Sequence, residues 1–268
     1  AQAGRAGLNA LFPPQCIACS ALVQSGPANP HLLCSHCFAS LEFIREPRCQ
    51  SCGLPSMVSG SASLCKRCGD FAVIKPSRQS SGALLYSGAT VSLIKSFKHG
   101  DRLDLAPLFA SWMIENGQQM IDEADLLVPI PLNWRRLVKR RYNQAAVLAQ
   151  EIAALTSKPW KADLLVRSKF VSTQKDQSAE QRFLNLEGAF SFDAKSKDQI
   201  QDKSILLIED VRMTGATLES AATTLMEAGA RQVTGLVLAL VPPKNASYMQ
   251  EPLDPDADPD QEFFDGQS

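Results

Sequence analysis

Four cysteine pairs near the start of the chain constrain its fold more than any other feature. All eight cysteines of the 268-residue chain lie in C-x-x-C pairs, and none follows residue 68. The pairs are Cys16 and Cys19, Cys34 and Cys37, Cys49 and Cys52, and Cys65 and Cys68. A two-residue spacer lets a tight turn direct two thiolates at one tetrahedral ion, and two such turns complete a closed structural zinc site. We therefore predict two structural Zn2+ ions held by these eight cysteines.

The same pattern leaves the metal and the pairing open. Disulfides and iron–sulfur clusters also use cysteine, but four pairs at near-even intervals favour zinc. Sequential pairing would give two stacked ribbons and alternating pairing a cross-braced module; the short intervals favour the sequential arrangement. So small a segment buries little apolar surface, and metal binding would supply its folding free energy. We expect a chelator to unfold residues 12–70, called here the cysteine head, and to leave the rest folded.

Composition excludes several classes of protein. The chain is 45% hydrophobic and 21% charged, with a formal net charge of -1, which is typical of a globular protein and not of a wholly disordered one. No apolar stretch approaches the roughly 20 residues of a membrane helix, so no membrane insertion is expected. Free thiols used for metal binding favour the cytoplasm.

Residues 247–268 are predicted to form a disordered acidic tail. Seven of the 28 acidic residues of the chain lie after residue 250, together with three prolines. Such a segment cannot bury enough apolar surface to offset the entropy lost on ordering. A solubilising role is the simplest interpretation. The alternative is a decoy that competes with polyanionic ligands for a basic groove.

Residues 76–245 are predicted to form an α/β domain with a mostly parallel sheet flanked by helices. Short apolar runs alternate with amphipathic stretches, as in parallel strands that are covered on both faces. The predicted strands are 83–86, 126–130, 204–208 and 232–241, and the predicted helices are 89–98, 102–116, 141–155 and 215–228. Ligands of such folds bind beyond the carboxyl ends of the strands.

The segment SILLIEDVRMTGATL, residues 204–218, predicts a phosphate site. A buried strand leads into Glu209 and Asp210, then into a Thr-Gly-x-Thr loop and a helix. A helix start offers unpaired N–H groups and the positive end of a dipole, and Gly215 permits close backbone approach. The absence of GxxxxGK[ST] and GxGxxG motifs argues against nucleoside triphosphate and dinucleotide sites. The alternative is that Thr214 only caps the helix.

A second stretch, PIPLNWRRLVKRRYNQ at residues 129–144, is strongly basic. Its basic side chains are Arg135, Arg136, Lys139, Arg140 and Arg141. Arginine pairs well with phosphate oxygens, so the stretch predicts a pyrophosphate clamp or a nucleic-acid groove. Trp134 and Tyr142 would be placed to stack on bases. A solvated helix face is the alternative for any one of these residues.

These motifs, in this order, resemble the ComF/GntX family. The resemblance also includes STQKDQSAEQRFLNLEGAF at residues 172–190 and spans about residues 12–241. That family joins a double zinc ribbon to a type I phosphoribosyltransferase-like domain, and some members are linked to DNA uptake in natural competence. The acidic pair with its Thr-Gly-x-Thr loop is likewise similar to the 5-phosphoribosyl-1-pyrophosphate (PRPP) motif of type I phosphoribosyltransferases.

The resemblance implies a site for PRPP and Mg2+. The catalytic pair, which would hold the ribose hydroxyls, is Glu209 and Asp210. The residues that would bind PRPP are Thr214, Gly215, Ala216, Thr217, Arg135, Arg136 and Lys98. The residues that would contact an acceptor or a nucleic acid are Arg140, Asn143, Gln144, Gln174 and Arg182.

Three positions depart from the family pattern. Glu209 stands where the family usually has Asp, Met213 where it has Thr, and Arg141 where it has Gly. In purine phosphoribosyltransferases the position that matches Met213 carries an Asp, which handles a proton of the base. A thioether cannot exchange that proton, so purine salvage by this route is not expected.

Two functions from different classes follow. The favoured one is a phosphoribosyltransferase-like protein, a glycosyltransferase in reaction class, that binds PRPP with Mg2+, leaves its acceptor open and acts in DNA uptake. The alternative is a non-catalytic zinc-ribbon protein that binds single-stranded DNA or a competence or DNA-processing protein. The complete loop motif favours the first, and the zinc ribbons with the basic stretch support the second.

Overall fold

The computed structural model describes residues 13–24, 33–56, 64–65, 68, 79–167 and 188–242. The predicted acidic tail lies outside the described residues, as do the candidate site residues Gln174 and Arg182. Among the helices of the described part, none is both long enough and apolar enough to cross a membrane.

The described residues form six α-helices and six strands. The helices are α1 Ser35–Ala39, α2 Gly88–His99, α3 Ala106–Glu123, α4 Trp134–Arg140, α5 Gln144–Thr156 and α6 Ala216–Glu227. The strands are β1 Ser80–Leu85, β2 Leu126–Pro129, β3 Leu165–Arg167, β4 Phe190–Phe192, β5 Ser204–Arg212 and β6 Gln232–Leu240. Short 3-10 helices span Leu103–Leu105 and Ala194–Gln199.

Four strands form one parallel sheet in the order β1-β6-β5-β2, and β3 and β4 form an antiparallel pair. The register runs from Ser204 opposite Gln232 to Arg212 opposite Leu240 in the central pair, β5 and β6. All carboxyl ends of the main sheet therefore lie at one edge, where ligands of α/β folds bind. The predicted parallel α/β fold is confirmed.

Helices cover both faces of this sheet, which explains the unbroken apolar run of β5. Leu206 and Ile208 pack in a cluster with Phe109 of α3 and Leu148 of α5. Ile205 and Leu207, on the opposite face, pack in a second cluster that also contains Leu225 of α6. Because successive strand residues point to opposite faces, both sets are buried only if each face has a helical layer.

Several element boundaries differ from those predicted. Helix α3 runs to Glu123 rather than 116, and α5 starts at Gln144 because the side chain of Asn143 caps it. The helical periodicity of residues 141–155 predicts that Leu155 faces inward, yet this residue in the last turn of α5 is 59% exposed.

The cysteine head covers the outer edge of the sheet. The amide of Ile44 donates to the carbonyl of Ala83 at 2.9 Å, and the amide of Leu85 donates to the carbonyl of Glu42 at 2.8 Å. Phe43 and Leu84 form the antiparallel bridge between these bonds. Residues 42–44 of the head thereby hydrogen-bond the backbone of β1 at the edge of the sheet. An unpaired edge strand could otherwise hydrogen-bond the strand of another molecule.

The head also shares its core with the sheet. Cys16 and Leu41 belong to the cluster of α3 and α5, while Ile44, Cys49 and Leu54 belong to the cluster beneath α6. Unfolding the head would therefore expose apolar side chains of the sheet. The expectation that the rest of the chain stays folded without metal is revised for this reason.

Candidate functional site

The structure gathers the eight cysteines into two sets of four. The first cysteine site is Cys16, Cys19, Cys34 and Cys37, and the second cysteine site is Cys49, Cys52, Cys65 and Cys68. Within each set the sulfurs lie within 4.8 Å of one another. This is the sequential pairing that the intervals favour.

The spacing of the sulfurs fits a zinc ion in both sites. The Sγ atoms of Cys19 and Cys34 are 3.8 Å apart, and those of Cys52 and Cys65 are 3.7 Å apart. Two sulfurs on a tetrahedral zinc, with bonds of about 2.3 Å, are separated by about 3.8 Å. Gly53 has a φ of +74°, the conformation expected of a glycine that follows a C-x-x-C turn.

Backbone amides point at the sulfurs, as they do in metal knuckles. The amide of Cys34 donates to Cys16 Sγ, and the amide of Cys65 donates to Cys49 Sγ, both at 3.3 Å. Burial raises the pKa of Cys16, but hydrogen bonds, first from the Cys34 backbone, outweigh burial and bring that pKa to about 6.

Four crowded thiols cannot all ionise without a cation. Hydrogen bonding with Cys49, then with Cys68, raises the pKa of Cys52 well above its usual range, and burial adds to this shift. A divalent ion supplies the charge that lets all four sulfurs bind as thiolates. Each site has a full set of four sulfurs, so both fit structural zinc rather than a catalytic centre with an open position.

The predicted phosphate loop lies between β5 and α6. Pairing with β6 continues through Arg212, so Glu209 and Asp210 lie inside β5 rather than after it, and both are half-buried. Gly215 caps α6 with a φ of +86° and a ψ of 0°, in the left-handed region. The chain thus turns sharply from the sheet into a 12-residue helix whose first amides face the carboxyl edge.

Close contacts fix this turn. A Cβ atom on Gly215 would lie 2.6 Å from Nη2 of Arg212, so only glycine fits without displacing that side chain. The hydroxyl oxygen of Thr214 accepts from the amide of Ala216 at 3.3 Å. The helix-capping alternative for Thr214 is therefore partly realised, although Gly215 occupies the cap position itself.

Asp210 is held by a buried lysine. Nζ of Lys98 lies 3.2 Å from Oδ2 of Asp210, and their side chains are only 4% and 16% exposed. Oδ1 of Asp210 accepts from the amide of Val211 at 2.8 Å. The carboxylate thus has a fixed orientation at the end of the strand.

A second layer of polar contacts supports Lys98. Nε2 of Gln144 donates to the carbonyl of Lys98 at 3.3 Å, and Arg140 donates to Oε1 of Gln144 at 3.5 Å. Gln144 is only 1% exposed. Both side-chain polar atoms of Asn143 bond the backbone, at Ile130 and Ala145. In the structure the polar side-chain atoms of Gln144 and Asn143 thus make structural hydrogen bonds, and their contact with an acceptor or a nucleic acid stays a prediction.

The hydroxyl of Tyr142 donates to the carbonyl of Phe97. Burial, followed by the nearby Asp101 carboxylate, raises the pKa of Tyr142 above its usual value. This anchored, half-buried ring supports the fold beside Lys98.

The basic stretch forms helix α4, which is not among the helices predicted from the sequence. Asn133 caps it by accepting from the amide of Arg135 at 3.0 Å. Its residues Trp134, Leu137 and Val138 are exposed. The guanidinium of Arg135 stacks over Trp134, 5.4 Å from the ring centroid.

Helix α4 follows β2 at the ligand edge of the sheet. Pro129, the last residue of β2, pairs with Ile208, the residue before Glu209. The sheet thus brings the acidic pair, the loop at 213–217 and the start of the basic helix to the same edge. Arg141 ends this helix with a φ of +66°, a conformation that suits the glycine of the family pattern.

One residue at the site was missed from the sequence. Arg212 contacts both Gly215 and, through Nη1 at 3.1 Å, the carbonyl of Cys52. Its position between the acidic pair and the loop was the only available signal, because the contact with the cysteine head depends on tertiary packing.

Comparison with known proteins supports the zinc-ribbon interpretation of the cysteine sites and the resemblance drawn from the sequence motifs. A family model described as "Double zinc ribbon domain" matches residues 7–70. Competence protein F of Haemophilus influenzae is 35% identical over 117 residues, which are 43% of this chain and 51% of that relative, about half of its length. Competence protein ComFC of Bacillus subtilis is 29% identical over 74% of this chain and 79% of its own. DNA utilization protein YhgH of Salmonella typhi is 27% identical over 75% of this chain and 87% of its own.

Among solved structures, a glutamine phosphoribosylpyrophosphate amidotransferase from B. subtilis, complexed with ADP and GMP, is similar with a TM-score of 0.37 and 19% identity. The match covers 63% of this chain and 36% of that chain, about a third of its length.

The cysteine sites, the sheet and the relatives all support the same resemblance. The chain carries two four-cysteine sites within a matched double zinc ribbon, joined to a parallel α/β sheet, and its relatives are competence proteins and YhgH. The resemblance of the chain to the ComF/GntX family is therefore confirmed.

Proposed function

We propose that this protein binds PRPP with Mg2+ at the loop between β5 and α6 and transfers or presents its phosphoribosyl group. The observation that carries the proposal is the turn at Gly215, which joins a strand bearing Glu209 and Asp210 to the start of α6. A phosphate group needs amide and hydroxyl donors together, and this turn supplies both.

The loop suits the 5-phosphate. The N–H groups at the start of α6 carry the positive end of the helix dipole. Thr214 and Thr217 add hydroxyl donors, and the left-handed Gly215 removes any side chain from the turn. Ala216 is buried and would contribute only its backbone.

The acidic pair suits the ribose and its metal. Carboxylate oxygens accept from ribose hydroxyls and are also the ligands that Mg2+ prefers. Lys98 orients Asp210, because its buried side-chain nitrogen lies 3.2 Å from the carboxylate. Lys98 would thus act on PRPP through Asp210.

The pyrophosphate group would face α4. Arg135 and Arg136 lie at the start of this helix, beyond the carboxyl end of β2. In the transfer, the bond from the ribose C1 to pyrophosphate breaks while an acceptor atom bonds to C1. Positive charge beside the leaving pyrophosphate lowers the barrier to that step.

The names of the relatives indicate the setting. Competence proteins and DNA utilization proteins align with most or part of this chain. We infer a role in the uptake or use of DNA, with an acceptor that is a nucleic-acid component or a partner protein.

Calorimetric titration of PRPP into the zinc-loaded chain tests the proposal. We expect binding with Mg2+, and much weaker binding in buffer from which Mg2+ is omitted, with no chelator added because a chelator would also compete for zinc. Asp210→Asn should weaken binding at least about tenfold, whereas the control Asp198→Asn, an exposed acid in the 3-10 helix before β5, should not. Absence of Mg2+-dependent binding by the wild type would contradict the proposal.

A second function is favoured by one observation, the exposed mixture of Trp134, Leu137 and basic side chains on α4. Aromatic rings and arginines on one surface bind single-stranded DNA by stacking and by phosphate contact. Under this alternative the protein is a non-catalytic DNA-binding module.

The salt dependence of DNA binding distinguishes the PRPP-binding function from the DNA-binding alternative. If α4 is the DNA surface, Arg135→Ala should weaken binding to an oligonucleotide and reduce the salt slope by about one. Arg102→Ala, a surface arginine paired with Asp104, is the matched control. Identical salt slopes for the wild type and both variants would exclude α4 as the DNA surface.

A further inference from the structure

Arg212 joins the predicted phosphate loop to the second cysteine site. It is the last residue of β5, and only Met213 and Thr214 separate it from Gly215. Its Nη1 donates to the backbone carbonyl of Cys52 at 3.1 Å. Cys52 supplies one of the four sulfurs of the second cysteine site.

The same guanidinium packs against the backbone of the loop at Gly215. A Cβ atom built on Gly215 would lie 2.6 Å from Nη2, 2.8 Å from Nε and 2.9 Å from Cζ of Arg212. The planar group therefore lies against the backbone of Gly215, at the point where the chain has its left-handed turn. One side chain thus contacts both the turn of the loop and a metal-binding turn.

Both ends of this link are anchored elsewhere. The carbonyl of Arg212 accepts from the amide of Val241 at 2.9 Å, and the carbonyl of Ser51 accepts from the amide of Ser80 at 3.0 Å. Gly53 packs closely on the sheet, since a Cβ there would lie 2.7 Å from the carbonyl oxygen of Ser80. A displacement of the 51–53 turn therefore moves the hydrogen-bond acceptor of Arg212.

We propose that Arg212 is a positioning residue that couples zinc in the second cysteine site to ligand binding at the loop. Zinc fixes the turn at Cys52, the Cys52 carbonyl fixes the guanidinium, and the guanidinium fixes Gly215. Coupling between two sites is reciprocal, so a ligand at the loop must also retain zinc in the second site. The nature of that ligand, PRPP, rests on the proposed function.

Zinc release from the full-length, zinc-loaded chain into a chelating dye tests the link without any ligand. Arg212→Ala should release one of the two zinc ions about tenfold faster, as expected from the loss of one charge-assisted hydrogen bond, and the other at the wild-type rate. Arg231→Ala is the matched control, because Arg231 hydrogen-bonds Ser204 and Asp125 at the amino end of β5. Wild-type release of both ions from Arg212→Ala would overturn the proposal.

PRPP with Mg2+ then tests the reciprocal effect. It should slow release of the same ion from the wild type and from Arg231→Ala, but not from Arg212→Ala. Arg212→Lys, which keeps a donor for the Cys52 carbonyl but lacks the planar group, should restore slow zinc release and only part of the PRPP affinity. Equal slowing in the wild type and Arg212→Ala would overturn the coupling.

The two proposals fail in different ways. If the wild type does not bind PRPP at all, the proposed function is wrong, and the ligand-free release rates still decide whether Arg212 supports the second cysteine site. If PRPP binds equally well to the wild type and Arg212→Ala, the proposed function stands and the coupling is excluded.

Discussion

At the scale of single residues, the ion pair between Lys98 and Asp210 is the contact of the site with the highest desolvation cost. Both side chains are largely buried, and their charged atoms are 3.2 Å apart. Desolvating two charges is costly, so such a pair is weak evidence for stability alone. Its place at the ligand edge favours a functional reason for keeping it.

Lys98→Met should destabilise the fold by about 3–5 kcal/mol, because it leaves the Asp210 carboxylate without its cation. The double variant Lys98→Met with Asp210→Asn should recover part of that loss, since no uncompensated charge stays buried. Urea unfolding of the two single variants and the double variant measures this coupling. Additive losses in the double variant would contradict a direct pair.

The double variant also separates stability from function. It should still bind PRPP at least about tenfold more weakly than the wild type even where its stability approaches that of the wild type, because a neutral Asn side chain is a poorer ligand for Mg2+ than a carboxylate. PRPP affinity restored together with stability would assign the pair a purely structural role.

At the scale of elements, the loop between β5 and α6 depends on a single glycine. Gly215 has a φ of +86°, and its Cα lies against the Arg212 guanidinium. An alanine there meets a strained backbone and a close contact at the same time. The loop geometry is thus set by the turn and not by the strand before it.

Gly215→Ala should cost roughly 1–3 kcal/mol of stability, because an L-residue is forced into the left-handed region. PRPP affinity should fall more steeply than this loss predicts, because the displaced loop misorients several donors at once. Thermal unfolding and calorimetry measure the two effects. Gly229→Ala, also at a positive φ but at the far end of α6, is the control and should lower stability only.

The elements show what the sequence could predict and what it could not. The alternation of apolar runs and amphipathic stretches predicted β5, β6 and α6, since local periodicity and end signals determine them. Helix α4 was missed because it has only seven residues, so its apolar positions Trp134, Leu137 and Val138 do not extend over the window that helical periodicity needs. The contact of Arg212 with Cys52 joins residues 160 positions apart and has no local signal.

Within the site, too, some features have local sequence signals and others depend on tertiary packing. The spacing alone predicted the eight cysteines as zinc ligands, but it only favoured the sequential sets that the structure shows over the alternating ones. Ligand contacts were predicted for Gln144 and Asn143, and the structure shows that both side chains hydrogen-bond the backbone of neighbouring segments. A motif indicates that a side chain is needed but not which group it bonds. Burial, a tertiary property, separates the two roles.

At the scale of the whole molecule, the cysteine head acts as part of the core rather than as an attached module. Segment 42–44 pairs with the outer edge of β1, and buried cysteines of both sites pack in the two clusters of the sheet. Zinc binding free energy is therefore available to stabilise the entire described fold.

Removal of zinc should lower the midpoint of thermal unfolding by at least about 10 °C, because loss of metal ligation removes several kcal/mol from one cooperative unit. Circular dichroism should show one transition in which the helices of the sheet domain are lost with the head. Two transitions, with the second at the temperature of the zinc-loaded protein, would show that the head folds apart from the sheet.

The most direct test of the PRPP site is hydrogen–deuterium exchange of the zinc-loaded chain with and without PRPP and Mg2+. The site described above predicts slower exchange of peptides that cover residues 209–218, with the carboxyl-terminal half of α6 unchanged. Protection without Mg2+ should be much weaker. Unchanged exchange at residues 209–218 under saturating PRPP and Mg2+, or protection confined to the cysteine head, would contradict the central claim.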